Sequence, residues 1–170
     1  MFHQRNFRVE EALEPNGSGE SAMSIASAHT PNLTRMASLT GGPPVRVLVV
    51  DDDEDGAEAM AMVMKLAGHE VAVAHDGERA VEQASRLAPE LVFLDLTLAG
   101  LLDGYDVARR LRNAPVSARL RLVAVTGSGR PEDRQRAREA GFDLFLTKPV
   151  DPALLRDLAL VVQSRRGGWE

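Results

Sequence analysis

From Val45 onward, short apolar runs alternate with longer stretches in which apolar residues recur at intervals of three and four. The short runs have the length of strands, and the intervals in the longer stretches are those of amphipathic helices. Five such pairs predict repeated βαβ units around a parallel sheet, which is an α/β fold. Strands are predicted over residues 45–50, 70–74, 91–96, 120–125 and 143–146.

Each predicted helix begins or ends at a residue that suits that position. The helices are expected at about residues 55–68, 77–87, 105–113, 131–141 and 152–163. Gly68 fits a left-handed C-terminal cap, Pro115 follows the third helix, and Pro131 suits the first turn of the fourth. The run from Val47 to Val50 is apolar at every position, which is typical of a strand covered on both faces.

The composition of the chain changes at Pro43 and Pro44. The residues before them include many breakers and few large apolar side chains, which favours a disordered or weakly structured leader over residues 1–44. Residues 45–163 are expected to form the folded domain, and residues 164–170 a polar tail. A chain of 170 residues is long enough for one well-buried core, so we expect a single domain.

Composition and charge narrow the functional classes. Apolar residues make up 44% of the chain and charged residues 26%, with a formal net charge of −5 that argues against binding to nucleic acid. The absence of cysteine excludes thiolate metal sites and cysteine nucleophiles. No apolar run has the length of a membrane span or a secretory signal, so we expect a cytoplasmic protein without membrane contact. Arginines at helical spacing are interpreted as solvated helix faces: Arg109, Arg110, Arg112, Arg134, Arg136 and Arg138.

In an open α/β sheet, ligands bind beyond the carboxyl ends of the strands. The polar residues that follow the strands are Asp51, Asp52 and Asp53 after the first, Asp95 and Thr97 after the third, Thr126 after the fourth, and Lys148 after the fifth. Carboxylates that face one another repel unless a cation joins them. Because all the ligands would be oxygen atoms, the hard ion Mg²⁺ is the natural choice.

Lys148 and Thr126 indicate what such a cation would assist. An ammonium group and a hydroxyl group beside a metal-bound carboxylate form a site for the oxygens of a phosphoryl group. A carboxylate that keeps a free oxygen can then act as a nucleophile and form an acyl phosphate. Asp95 is best placed for that role.

Five motifs occur in order along the predicted strands. They are VLVVDDDE from Val47, the apolar run that ends in Asp95, Asp103-Gly104-Tyr105, Val125-Thr126-Gly127, and Ala140-Gly141-Phe142 leading to Lys148-Pro149. Together they resemble the receiver domain of bacterial response regulators in two-component signalling, over about residues 45–163. The resemblance implies a doubly wound, flavodoxin-like fold with five parallel strands in the order 2-1-3-4-5.

The same resemblance implies roles for the acidic residues. Asp95 would be the phosphoacceptor and also a metal ligand, and Asp52 would bind Mg²⁺ directly. Asp51 would hold metal-bound water, and the backbone carbonyl of Thr97 would supply a further ligand.

A second group of roles concerns the response to phosphorylation. Thr126 would be the switch hydroxyl, Lys148 would pair with the phosphoryl group, and Phe145 would be the aromatic switch residue. The Lys148–Pro149 peptide would be cis.

The resemblance also implies partners. The donor would be a sensor histidine kinase or a histidine phosphotransfer protein. The fourth helix, fifth strand and fifth helix would bind a downstream protein in a phosphorelay. Such a protein promotes its own phosphorylation and dephosphorylation and is not a turnover enzyme.

The sequence departs from the family pattern at two places. Ala99 replaces the usual proline four residues after the acceptor, and Gly104 lies nine residues beyond Asp95 instead of eight, so the loop has gained one residue. Gly127 stands where many relatives carry alanine, and we expect it to leave the phosphoryl site open to water.

Two alternatives remain open at this point. Asp51-Asp52-Asp53 after an apolar strand also fits a haloacid dehalogenase-like phosphatase, in which Asp51 would be the nucleophile. The other alternative is a pseudo-receiver that binds proteins without being phosphorylated, and the lengthened loop is its best support.

Overall fold

Five strands alternate with five helices in the computed structural model, which describes residues 42–165. The elements are β1 Arg46–Val50, α1 Glu54–Leu66, β2 Glu70–Ala74, α2 Gly77–Leu87, β3 Leu91–Leu94, α3 Gly104–Asn113, β4 Arg121–Thr126, α4 Pro131–Ala140, β5 Leu144–Thr147 and α5 Pro152–Arg165. The predicted leader, apart from residues 42–44, and the last five residues of the predicted tail lie outside the described residues.

The strands form one parallel sheet in the order β2-β1-β3-β4-β5, which confirms the predicted fold. Val50, the last residue of β1, pairs with Leu94, the last residue of β3. Thr126 at the end of β4 pairs with Thr147 at the end of β5. The residues that follow these four strands therefore leave the sheet at one edge.

Helices cover both faces of the sheet. Helices α1 and α5 pack on one face, against side chains of the central strands that include Val49 and Phe93. Helices α2, α3 and α4 pack on the other face, around residues such as Leu48 and Leu94. Because residues of β1 and β3 point alternately to the two cores, every residue of these strands except Arg46 is buried, as their apolar sequence predicts.

Strand β2 and helix α2 have the predicted boundaries, and each of the other elements differs from its prediction by one or two residues at one or both ends. Strand β3 ends at Leu94 instead of residue 96, because Thr97 turns back to bond the Asp95 carboxylate. Helix α5 continues to Arg165, two residues beyond the predicted end. A 3-10 turn over Pro115–Ala118 joins α3 to β4 and was not predicted.

Arg112 is not part of a solvated helix face. Its guanidinium group donates to the carbonyl oxygens of Gly141 at 2.8 Å and Leu120 at 3.0 Å, and to Asp143 Oδ2 at 2.6 Å. This half-buried side chain ties the end of α3 to the starts of β4 and β5. The helical spacing that predicted a solvated face cannot distinguish an exposed arginine from one that binds neighbouring loops.

Gln163 connects the two ends of the described domain. Its side chain is buried on α5, and Nε2 donates to the carbonyl oxygen of Pro43 at 2.8 Å. This bond holds the chain before β1 against the C-terminal half of α5. Among the described helices, none combines the length and apolar character that crossing a membrane requires.

Candidate phosphoryl site

Four residues at or just beyond the ends of different strands lie together at the carboxyl edge of the sheet: Asp51, Asp95, Thr126 and Lys148. Asp51, Asp95 and Thr126 are almost completely buried, with 0%, 4% and 1% of their surface exposed. Lys148 Nζ lies 2.7 Å from Asp51 Oδ2 and 2.8 Å from Asp95 Oδ2. The Lys148 ammonium group therefore lies between two buried carboxylates, at the edge where the strand order predicts that these residues meet.

Thr97 holds the second oxygen of the Asp95 carboxylate. Its backbone N–H and its hydroxyl group both donate to Asp95 Oδ1, at 2.9 and 3.0 Å. The sequence suggested only a metal-binding role for the Thr97 carbonyl. A carboxylate bonded to the backbone two residues on is a common turn motif, so an Asp-x-Thr sequence after a strand was the available signal.

The acidic residues fit a hard divalent cation. Asp51, Asp52 and Asp95 each offer a carboxylate oxygen, and these three oxygens lie within 4.8 Å of one another. Asp51 Oδ2 is buried, and its contact with Lys148 has no hydrogen-bond geometry, so this oxygen has no hydrogen-bond partner in the described part of the chain. Three carboxylates beside one ammonium group leave excess negative charge, and oxygen ligands suit Mg²⁺.

Burial and charge act in opposite directions on the two ionisable groups at the centre. Burial raises the pKa of Asp51 above its ordinary value, although the Lys148 ammonium group and the Asp53 N–H oppose the rise. Burial lowers the pKa of Lys148, but Asp51 and Asp95 outweigh that effect and the net pKa is raised. Lys148 is therefore held as a cation, while Asp51 gains from any further positive charge.

The loop after Asp95 is anchored at both ends in spite of its extra residue. Leu98 is buried, and Leu102 packs against the same core beside Gly77. The tip between them is exposed: Gly100 has φ +121°, and 90% of Leu101 is accessible. The added length therefore projects into solvent.

The loop also stays in contact with the acidic site. The Ala99 N–H donates to Asp52 Oδ2 at 3.3 Å, although Ala99 replaces the usual proline. Further on, the Asp103 side chain caps α3 by accepting from the Asp106 N–H at 2.9 Å. Gly104 then packs directly on the backbone of Asp95 and Leu96 and donates to the Leu96 carbonyl at 3.2 Å.

A groove of about 280 Å³ opens beside Thr126 and is lined in part by Thr97, Tyr105 and Arg136. The Thr126 hydroxyl accepts a long bond of 3.4 Å from the Ser128 N–H, and the Ser128 hydroxyl donates to Asp133 at 2.5 Å. The bond to the Thr126 hydroxyl is therefore a weak one.

Three further predicted residues lie near the site. Phe145 is half-buried on β5 and packs against the core under α4. The Lys148–Pro149 peptide is cis. A Cβ atom built on Gly127 would meet no atom within 4 Å, so the space beside Gly127 is open.

Comparison with known proteins identifies one family. The family model described as the response regulator receiver domain matches residues 47–160. An uncharacterised 14.6 kDa protein of Leptolyngbya boryana is 37% identical over 106 residues, which cover 62% of this chain and 80% of that protein. The response regulator PleD of Caulobacter vibrioides is 34% identical over 110 residues, or 65% of this chain, but the match spans only 24% of PleD.

A solved structure agrees with this match. The crystal structure of a candidate response regulator from Chloroflexus aurantiacus superposes with a TM-score of 0.66 at 32% sequence identity. The superposition covers 72% of this chain and all of that one. The similarity therefore extends over the whole folded domain.

Proposed function

Because the chain belongs to the response regulator receiver domain family, we propose that it accepts a phosphoryl group on Asp95 from a histidine kinase or a histidine phosphotransfer protein. The observation that carries this proposal is the buried Asp95 carboxylate, which is held by Lys148 on one oxygen and by Thr97 on the other. In our proposal residues 45–163 form the receiver domain, and the protein acts as a signalling module in the cytoplasm.

Each residue of the site makes a different contribution to the phosphoryl transfer. An Asp95 oxygen attacks phosphorus, the bond from phosphorus to the donor imidazole nitrogen breaks, and its electron pair stays on that nitrogen. Lys148 pairs with an oxygen of the transferred group, and Thr126 donates its hydroxyl hydrogen to another after moving toward Asp95. Mg²⁺, held by Asp51, Asp52, Asp95 and the Thr97 carbonyl, would neutralise the negative charge that develops.

Phosphorylation would then change a binding surface. Movement of Thr126 opens space that the Phe145 ring can enter, which alters the face made by α4, β5 and α5. We propose that this face binds a downstream protein. The alternative of a phosphatase with Asp51 as nucleophile has no support from the family match, whereas a pseudo-receiver remains a possible outcome of the test.

The proposal is tested by incubating the full chain with Mg²⁺ and acetyl phosphate and measuring its intact mass. We expect one phosphoryl adduct that requires Mg²⁺ and disappears in Asp95→Asn. In Asp51→Asn the adduct should form more slowly, since the acceptor is still present. Repeated turnover that is lost most completely in Asp51→Asn would instead identify the phosphatase, and no adduct from any donor would identify a pseudo-receiver.

Gly127→Ala is expected to slow loss of the phosphoryl group by roughly threefold, because its methyl group occupies space through which water reaches the acyl phosphate. The substitution should not destabilise the fold, since the new Cβ meets no neighbour within 4 Å. Loss of the adduct after removal of acetyl phosphate, followed by intact mass, gives the rate. An unchanged rate would mean that water reaches the phosphoryl group by another route.

A further inference from the structure

Three arginines form a row along one flank of α4. Arg130 is at the N-cap, and Arg134 and Arg138 follow one and two turns later. The Arg134 N–H bonds the Arg130 carbonyl at 3.2 Å, which places consecutive members one turn apart. All three are exposed. We name them the arginine row.

The arginine row has no acidic partner within the described residues. Six other arginines are paired with carboxylates: Arg46, Arg79, Arg86, Arg109, Arg112 and Arg121. Helix α4 carries the acidic residues Glu132, Asp133 and Glu139, of which Asp133 accepts a hydrogen bond from the Ser128 hydroxyl and Glu139 accepts one from the Gln135 amide. Among the described residues, none of the three forms an ion pair with the row. The positive charge of the row therefore stays available to another molecule.

An aromatic ring supports the middle of the row. The Arg134 guanidinium carbon lies 4.6 Å from the centre of the Phe145 ring. Stacking on a ring face leaves the N–H groups of the guanidinium fork free for a carboxylate and reduces the entropy lost when it binds. Phe145 lies on β5 and is also the proposed switch residue, so a movement of its ring would move Arg134.

We infer that the arginine row binds an acidic segment of the downstream protein and that Phe145 couples this binding to phosphorylation. The inference rests on the proposed function, because it names the chemistry of the partner for the face of α4, β5 and α5. Guanidinium forks suit the paired oxygens of carboxylates. A nucleic acid is a poorer fit, since its continuous phosphate backbone needs more cationic contacts than three arginines supply, whereas a short acidic segment can be limited to the length of the row.

The test uses the full chain and a fluorescein-labelled glutamate-rich peptide, with binding followed by anisotropy at low salt. Arg130→Gln, Arg134→Gln and Arg138→Gln are combined in one variant. A control combines Arg86→Gln, Arg110→Gln and Arg119→Gln, which removes the same charge from exposed arginines that lie outside the face of α4, β5 and α5. We expect the first variant to bind about tenfold more weakly than wild type, and the control to bind within about twofold.

The second measurement is the effect of phosphorylation on the affinity for the peptide. In wild type, acetyl phosphate with Mg²⁺ should change the affinity for the peptide by at least about threefold, and this change should vanish in the row variant. The row variant should still form the Asp95 adduct, which separates failure of this inference from failure of the proposed function. The inference would be overturned if both variants bound the peptide equally weakly, or if phosphorylation left the affinity for the peptide unchanged. It would also be overturned if single-stranded DNA bound more tightly than the peptide, or if the chain associated with itself through the arginine row.

Discussion

Replacing Gly104 with alanine is expected to destabilise the domain by about 3 kcal/mol or more, a large part of the stability of a typical small domain. The new Cβ would lie 2.7 Å from the Leu96 Cα atom and even closer to the Asp95 carbonyl oxygen. These neighbours are backbone atoms at the end of a central strand, so they cannot move aside as a flexible side chain would. Urea unfolding of wild type and variant measures the loss.

Gly127→Ala is the matched control, because a Cβ there meets nothing. It should leave the free energy of unfolding unchanged or raise it by about 0.5 kcal/mol, through a less flexible unfolded chain. Any Gly104→Ala protein that folds should also be phosphorylated more slowly on Asp95, since α3 is then displaced from the backbone of Asp95. A Gly104→Ala protein within about 1 kcal/mol of wild type would contradict the close packing of α3 on Asp95.

Lys148→Met should lower the free energy of unfolding by roughly 3 kcal/mol near neutral pH without Mg²⁺, because it leaves two buried carboxylates without the ammonium group that pairs with them. The loss should shrink as the pH falls. In the wild-type fold burial already raises the pKa of Asp51, and removal of the ammonium group raises this pKa further. A carboxyl group whose folded pKa exceeds its unfolded value of 3.8 binds more protons when folded, so stability falls as pH rises between the two values.

Urea unfolding of Lys148→Met at several pH values between about 5 and 7.5 tests this prediction. Lys65→Met provides the control, since Lys65 is exposed on α1 and its nearest carboxylate is Glu58 at 3.9 Å. That change should alter stability by no more than about 0.5 kcal/mol at any pH. A deficit in Lys148→Met that does not depend on pH would indicate lost packing instead of uncompensated charge.

Most of the fold was predictable because the buried strands carry an unambiguous pattern. The uninterrupted apolar run of β1 required cover on both faces, and the breakers at Gly68, Pro115 and Pro131 limited the helices. The gathering of Asp51, Asp95, Thr126 and Lys148 followed from strand order, since parallel strands end at one edge. For these residues, a position at the end of a predicted strand was enough to predict their place in the fold.

The remaining features depend on side-chain directions that no periodicity encodes. Spacing alone placed Arg112 and Arg134 in the same class, yet one binds neighbouring loops and the other lies on the Phe145 ring. The lengthened loop raised doubt about the site. The sequence could not reveal that Leu98 and Leu102 would anchor the loop and let Leu101 carry the added length into solvent.

The bond from Gln163 to Pro43 has a practical consequence for protein engineering. It brings the two ends of the described domain together near the amino ends of the strands, at the edge opposite Asp95. A domain whose ends meet can be inserted into a surface loop of a host protein through short linkers. Residues 43–165 therefore form a cassette in which Asp95 and its acidic neighbours would face away from the host.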